Sequence, residues 1–155
     1  MAGRRAVHDL NDLPGHLMRR LQQIAVGLFL DETADVSITP VQFALLFAAS
    51  RRPGMDQRTL AKQIGFDTST IGAVLDRLEA RGIVRRSASS TDRRVRLLSV
   101  TKEGEALLEG AMPAMLRAQK RMLAPLPAAD RERFVEMMRV LVESNHAWSR
   151  AARNA

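Results

Sequence analysis

The side chains best equipped for chemistry cluster in the middle of the chain. Thr68, Ser69 and Thr70 place hydroxyls at consecutive positions, with Asp67 just before them, Gly72 and Ala73 just after, and Arg77 farther on. Downstream, the polar run that begins at Ser89 ends in Asp92-Arg93-Arg94. Hydroxyls can donate to or accept from base edges and phosphates, a threonine methyl can touch a thymine methyl, and small residues such as Gly72 allow close approach. An arginine pair in a polar loop suits a narrow minor groove, where negative potential is enhanced. This is equipment for holding a polyanion. Ordinary alternatives stand beside it. Thr68 and Ser69 can act simply as helix caps, and Arg77 can pair with Asp76, Glu79 or Asp92. Asp92 would oppose phosphate if it faced it, so it is expected to pair with a neighbouring arginine and fix the loop's shape.

Bond-making chemistry has no comparable support. Cysteine is absent, which removes thiol nucleophiles, disulfides and thiolate metal sites. The sequence carries no Gly-x-Ser-x-Gly, no phosphate loop and no His/Glu metal spacing. No catalytic residue, metal or cofactor is therefore expected. The 155 residues are 46% apolar, enough for one ordinary core. Net charge is +7, and between Arg51 and Val100 eleven Lys/Arg face five Asp/Glu, a local balance of +6. Neutralising phosphates releases condensed counterions, so such a concentration suits a nucleic acid; a merely solvated arginine-rich surface would carry the same charge. No apolar run is long enough to span a membrane. The basic stretch Met1–His8 leads into polar residues rather than an apolar segment, so a secretory signal is not expected. The expected location is cytoplasmic.

These groups need elements to hold them. Leu10, Leu13, Leu17, Leu21, Ile24 and Leu28 recur at helical spacing, with Asn11 or Asp12 as cap and Pro14 in the first turn. Thr39-Pro40-Val41-Gln42 is a capping box with proline at the first helical position, opening a helix that stops near Arg52 before Pro53-Gly54. Asp56 caps a short helix closed by Gly65, and Asp67 or Thr68 caps the next, which Gly82 ends. So short a separation is helix-turn-helix spacing. Ile83–Ser87 and Val95–Val100 then read as strands of a hairpin whose tip is Ser89–Arg94. Thr101 caps a long helix expected to bend at Pro113, and Pro125 and Pro127 break it. A last helix carries Phe134, Met137, Met138, Leu141, Val142, Asn145 and Trp148 along one face. The expected fold is mainly α with a small β-hairpin wing: a winged helix-turn-helix over 36–101, flanked by helical dimerisation regions at 9–35 and 102–152. In such a motif the second helix enters the major groove.

The same residues resemble the MarR regulators. The likeness runs through Leu60-Ala61, Thr70-Ile71, Asp76–Val84, Asp92-Arg93-Arg94 and Leu98–Gly104. The family's wing pattern, Asp-x-Arg-x-x-x-Leu-x-Leu-Thr, is met at Asp92, Arg94, Leu98 and Thr101, with Val100 replacing the final Leu. The resemblance implies a triangular homodimer joined through the first helix and the last two. Apolar stripes too large for a small winged domain to cover point the same way; the alternative is a monomer whose outer helices fold back on themselves. A two-fold dimer would bind palindromic duplex DNA with half-sites about 10 base pairs apart.

Regulators of this kind often sense a small molecule, frequently an aromatic acid. The expected lining is His16, Arg19 and Arg20 with Thr39, Gln42 and Phe43, beside Ser37, because a guanidinium next to an apolar wall can bind a carboxylate bidentately. The function expected is a sequence-specific DNA-binding transcriptional regulator, a repressor released by an aromatic carboxylate effector. The alternative is a non-specific or architectural DNA-binding protein without effector control.

Overall fold

A computed structural model describes residues 9–149. The basic stretch Met1–His8 and the last three positions of the expected 102–152 region lie outside the described residues. In chain order the elements are α1 (Pro14–Glu32), α2 (Pro40–Arg51), β1 (Met55–Asp56), α3 (Gln57–Gln63), α4 (Thr68–Ala80), β2 (Val84–Ala88), β3 (Arg96–Val100), α5 (Lys102–Leu123) and α6 (Ala128–Ser144).

Local chemistry explains most of these boundaries. Thr39 and Gln42 form the expected capping box: Gln42 N–H donates to Thr39 Oγ1 at 3.3 Å, and Thr39 N–H to Gln42 Oε1 at 3.1 Å. Asp56, Asp67 and Thr101 each accept a backbone N–H at the start of their helices. Gly65 and Gly82, at φ +77° and +71°, take the left-handed conformation that ends α3 and α4. The start of α1 departs from expectation. Asp9 caps a 3-10 turn at Leu10–Asp12, accepting from both the backbone and the side-chain nitrogens of Asn11. Asn11 and Asp12 are thus spent in that turn, and α1 starts after Leu13 with no side-chain cap, Pro14 needing no N–H partner. Pro113 lies inside α5, which runs on unbroken to Leu123. The final helix ends at Ser144, and His146–Trp148 forms a separate 3-10 turn, so Trp148 does not continue the α6 stripe.

The strands form one antiparallel sheet in the order β1-β3-β2. Strand β1, too short to show alternation in sequence, pairs Met55 with Leu98 and Asp56 with Leu97. Leu45, Leu46, Leu60, Ile71, Leu75, Leu78 and Leu98 are fully buried, so the core lies among α2, α3, α4 and β3. Burying a side chain of this size is worth roughly 1.5–3 kcal/mol, and this core holds α4 against the base of the hairpin, where Ile83, Val84 and Leu98 are buried. α5 begins against the hairpin base. Thr101 Oγ1 donates to Gly82 O at 2.6 Å, and a Cβ at Gly104 would overlap the Ile83 carbonyl oxygen and approach Val100 Cγ1 to 2.7 Å.

The outer helices look different. α6 buries none of its residues, and Met137, Val140, Leu141 and Val142 stay exposed, as do Leu10, Leu13, Leu17 and Met18 near the other end of the chain. α1 and α5 are tied by charge: Arg117 Nε donates to Glu32 at 2.6 Å, and Arg121 Nη1 to Asp31 at 2.5 Å.

Candidate nucleic-acid interface and effector cavity

The first turn of α4 presents Thr68, Ser69 and Thr70, all exposed. Asp67 organises them. Ser69 Oγ donates to Asp67 Oδ1 at 2.6 Å, Thr70 Oγ1 to Oδ2 at 2.7 Å, and Thr70 N–H to Oδ1 at 2.8 Å. These bonds, Ser69's first, hold the Asp67 carboxyl well below the usual carboxylate range. The two hydroxyl protons are thereby committed, and what Ser69 and Thr70 offer outward is lone pairs. Gly72 lies where α4 crosses the start of α3: a Cβ there would meet Gln57 Nε2 at 3.2 Å. That nitrogen also donates to Thr68 O at 3.4 Å.

Arg77 is exposed farther along α4, its Nε donating to Ala73 O at 3.3 Å. It does not take the ion pair that its position in sequence allowed. Asp76 and Glu79 pair instead with Arg86 of β2, at 2.7 and 2.6 Å. At the wing tip Arg93 and Arg94 are exposed. Asp92 shapes the loop through the backbone rather than through a guanidinium, since its Oδ1 accepts from Arg94 N–H at 2.9 Å. The bond closes a tight Asx-type turn.

A separate feature lies where α1, α2 and α5 meet, a cavity of about 610 Å³. Phe29, Phe43 and Phe47 line it with Met112, Met115 and Leu116, and among the described residues Arg51 contributes its one charged side chain. Phe29 and Phe43 pack edge to face at 5.8 Å, and the Arg51 guanidinium lies 5.3 Å from the Phe47 ring centre. Of the effector residues expected from sequence, only Phe43 lines this cavity. Thr39 and Gln42 are engaged with each other in the capping box. Arg20 donates to Asn11 at 2.7 Å, and Arg19 lies 3.5 Å from His16 Nδ1. Sequence reasoning missed Arg51 because its contact with Phe47, one turn earlier, looks in sequence like an ordinary helix C-terminal cation.

A tight helix pair on one core with a basic-tipped hairpin defines the class: this is a winged helix-turn-helix protein. The MarR family profile matches residues 38–95. Solved structures align over nearly the whole chain. The PcaV transcriptional regulator from Streptomyces coelicolor, in complex with its natural ligand, is 36% identical with a TM-score of 0.80, over 90% of this chain and 98% of that one. The transcriptional repressor CouR, bound to a 23-mer DNA duplex, is 30% identical with a TM-score of 0.81, over 90% and 99%. Bordetella bronchiseptica BpsR, whose DNA binding is regulated by 6-hydroxynicotinic acid, is 28% identical with a TM-score of 0.82, over 88% and 97%. The chain belongs to the MarR family, and it is a DNA-binding transcriptional repressor of that type.

Proposed function

We propose that this protein is a cytoplasmic homodimeric repressor that grips a near-palindromic operator and is released by a small aromatic carboxylate. Thr68, Ser69, Thr70, Gly72 and Arg77 of α4 meet the major groove, and Arg93 and Arg94 of the wing reach the neighbouring minor groove or its phosphates. The exposed apolar stripe of α6, with the one at the start of the chain, is the dimer contact: a helix that buries nothing within its own chain needs a partner to be stable.

The observation that carries the effector reading is the cavity between α1, α2 and α5. Its phenylalanine and methionine walls suit an aromatic ring, and Arg51 is placed to take a carboxylate bidentately in exchange for its contact with Phe47. The relative regulated by 6-hydroxynicotinic acid supports an acid of this class.

Calorimetry against benzoate-, phenylacetate- and nicotinate-like acids tests the effector. Binding by the wild type, lost in Arg51→Ala, is the expected result, and no heat from any of them would remove this reading. Footprinting upstream of its own operon tests the operator. One protected palindrome is expected, whereas uniform coating that vanishes with modest salt would favour an architectural protein.

A further inference from the structure

The hairpin leaves the body of the protein at a single charged anchor. Because the sheet order is β1-β3-β2, strand β2 is an edge whose outward N–H groups have no strand partner. At Arg86 that N–H donates to Glu79 Oε1 at 2.9 Å. The guanidinium of the same residue closes the arrangement, with Nε and Nη2 donating to Glu79 Oε2 at 2.9 and 2.6 Å and Nη2 also to Asp76 Oδ1 at 2.7 Å. Asp76 and Glu79 stand on one face of α4, one turn apart. One β2 residue therefore grips the recognition helix by backbone and side chain together. Past it the wing is thinly supported: Ser87, Ala88 and Ser90 to Arg94 are all exposed.

The geometry points to Arg86 as a positioning residue for DNA reading, which fixes the offset between the wing tip and α4 so that both engage one half-site. This rests on the assignment of α4 and the wing as the DNA contacts. Arg86 touches no DNA in this scheme. It acts through Glu79 and Asp76, and in holding those carboxylates it also keeps them from Arg77, whose guanidinium donates, among the described residues, to the Ala73 carbonyl. The side chain of Arg86 is 23% exposed and that of Glu79 36%, so the pair is less screened than an open surface pair. The two guanidinium bonds to Glu79 Oε2, with the third to Asp76 Oδ1, give an orientation that a lysine ammonium cannot reproduce.

The test compares wild type with Arg86→Gln, Arg86→Lys and Glu79→Gln. The probes are a duplex enriched from random-sequence DNA by the wild-type protein and a scrambled duplex of equal length. Each variant is expected to lose about tenfold on the enriched duplex and less than about threefold on the scrambled one. Hydroxyl-radical protection should vanish under the wing and persist under α4. Arg86→Lys binding the enriched duplex as wild type does would overturn the inference, because charge alone would then suffice. Equal losses on both duplexes would overturn it too, by making Arg86 a phosphate contact.

A DNA-free measurement separates this inference from the operator assignment. The chain has no native cysteine, so spin labels at Ala80→Cys and Ser90→Cys, diluted into unlabelled protein, report the distance from α4 to the wing tip. A narrow distribution in the wild-type background that broadens with Arg86→Gln is expected. An unchanged distribution in a folded variant sinks the inference even if an operator is found. A wild type that enriches no sequence, with the broadening present, counts against the operator alone.

Discussion

At the scale of single residues, Asp67 does the most with the least. It caps α4 and takes the hydroxyl protons of Ser69 and Thr70, so their outward lone pairs favour base amino groups over acceptor edges. Thr70→Ala should relax preference at one half-site position by about 1–3 kcal/mol, read by competition among single-substitution duplexes. Arg94→Ala should instead weaken all duplexes and lower the salt slope by about one phosphate. The Asp67 carboxyl also carries a pH signature. Its folded value is depressed, so its contribution is complete above the unfolded value near 4 and is lost as pH falls toward the folded one. Asp56 behaves alike, held down chiefly by the Thr59 hydroxyl. Melting curves from about pH 6 to 3 should fall more steeply for wild type than for Asp67→Asn, which keeps a capping oxygen without a titrating group. Parallel curves would contradict this.

At the scale of elements, the turn chemistry was legible where a helix end depends on a few adjacent residues. Thr39 with Gln42, Asp56, Asp67, Thr101, Gly65 and Gly82 all stand where their local preferences put them. Partners chosen by tertiary packing were not legible. Asp76 and Glu79 flank Arg77 in sequence, and nothing local says that Arg86, across the turn on β2, outcompetes it. Two-residue β1 exists only because β3 lies beside it. Arg51 reaches the cavity, and Arg19 and Arg20 do not, because only packing decides which helix faces converge there. Gly104 is another tertiary requirement, since its neighbour on one side is backbone and cannot rotate away. Gly104→Ala should cost on the order of 2–3 kcal/mol despite the better helix propensity of alanine, and thermal or urea unfolding would show it. A neutral effect would mean that α5 can shift off the hairpin base.

At the scale of the whole molecule, the open question is how separate surfaces act together. Light scattering should give a stable dimer at micromolar concentration. Charge placed on the α6 stripe, as in Leu141→Asp, should yield a folded monomer that binds a palindrome about 100-fold more weakly, because two linked half-site contacts become one. A dimer that survives Leu141→Asp together with Met137→Asp would place the interface elsewhere. The seating of α5 has a mechanical consequence. Met112, Met115 and Leu116 line the cavity, while Gly104 of the same helix rests on the backbone of Ile83 at the root of the wing. The rise from Gly104 to Met112 is about 12 Å, so tilting the helix by ~10° shifts its cavity end by ~2 Å. A joint with no side chain in it has no slack to absorb that tilt. Under the proposed effector reading, α5 would work as a crank with its pivot at the hairpin, and a ligand no larger than one aromatic ring would have leverage on where the wing points.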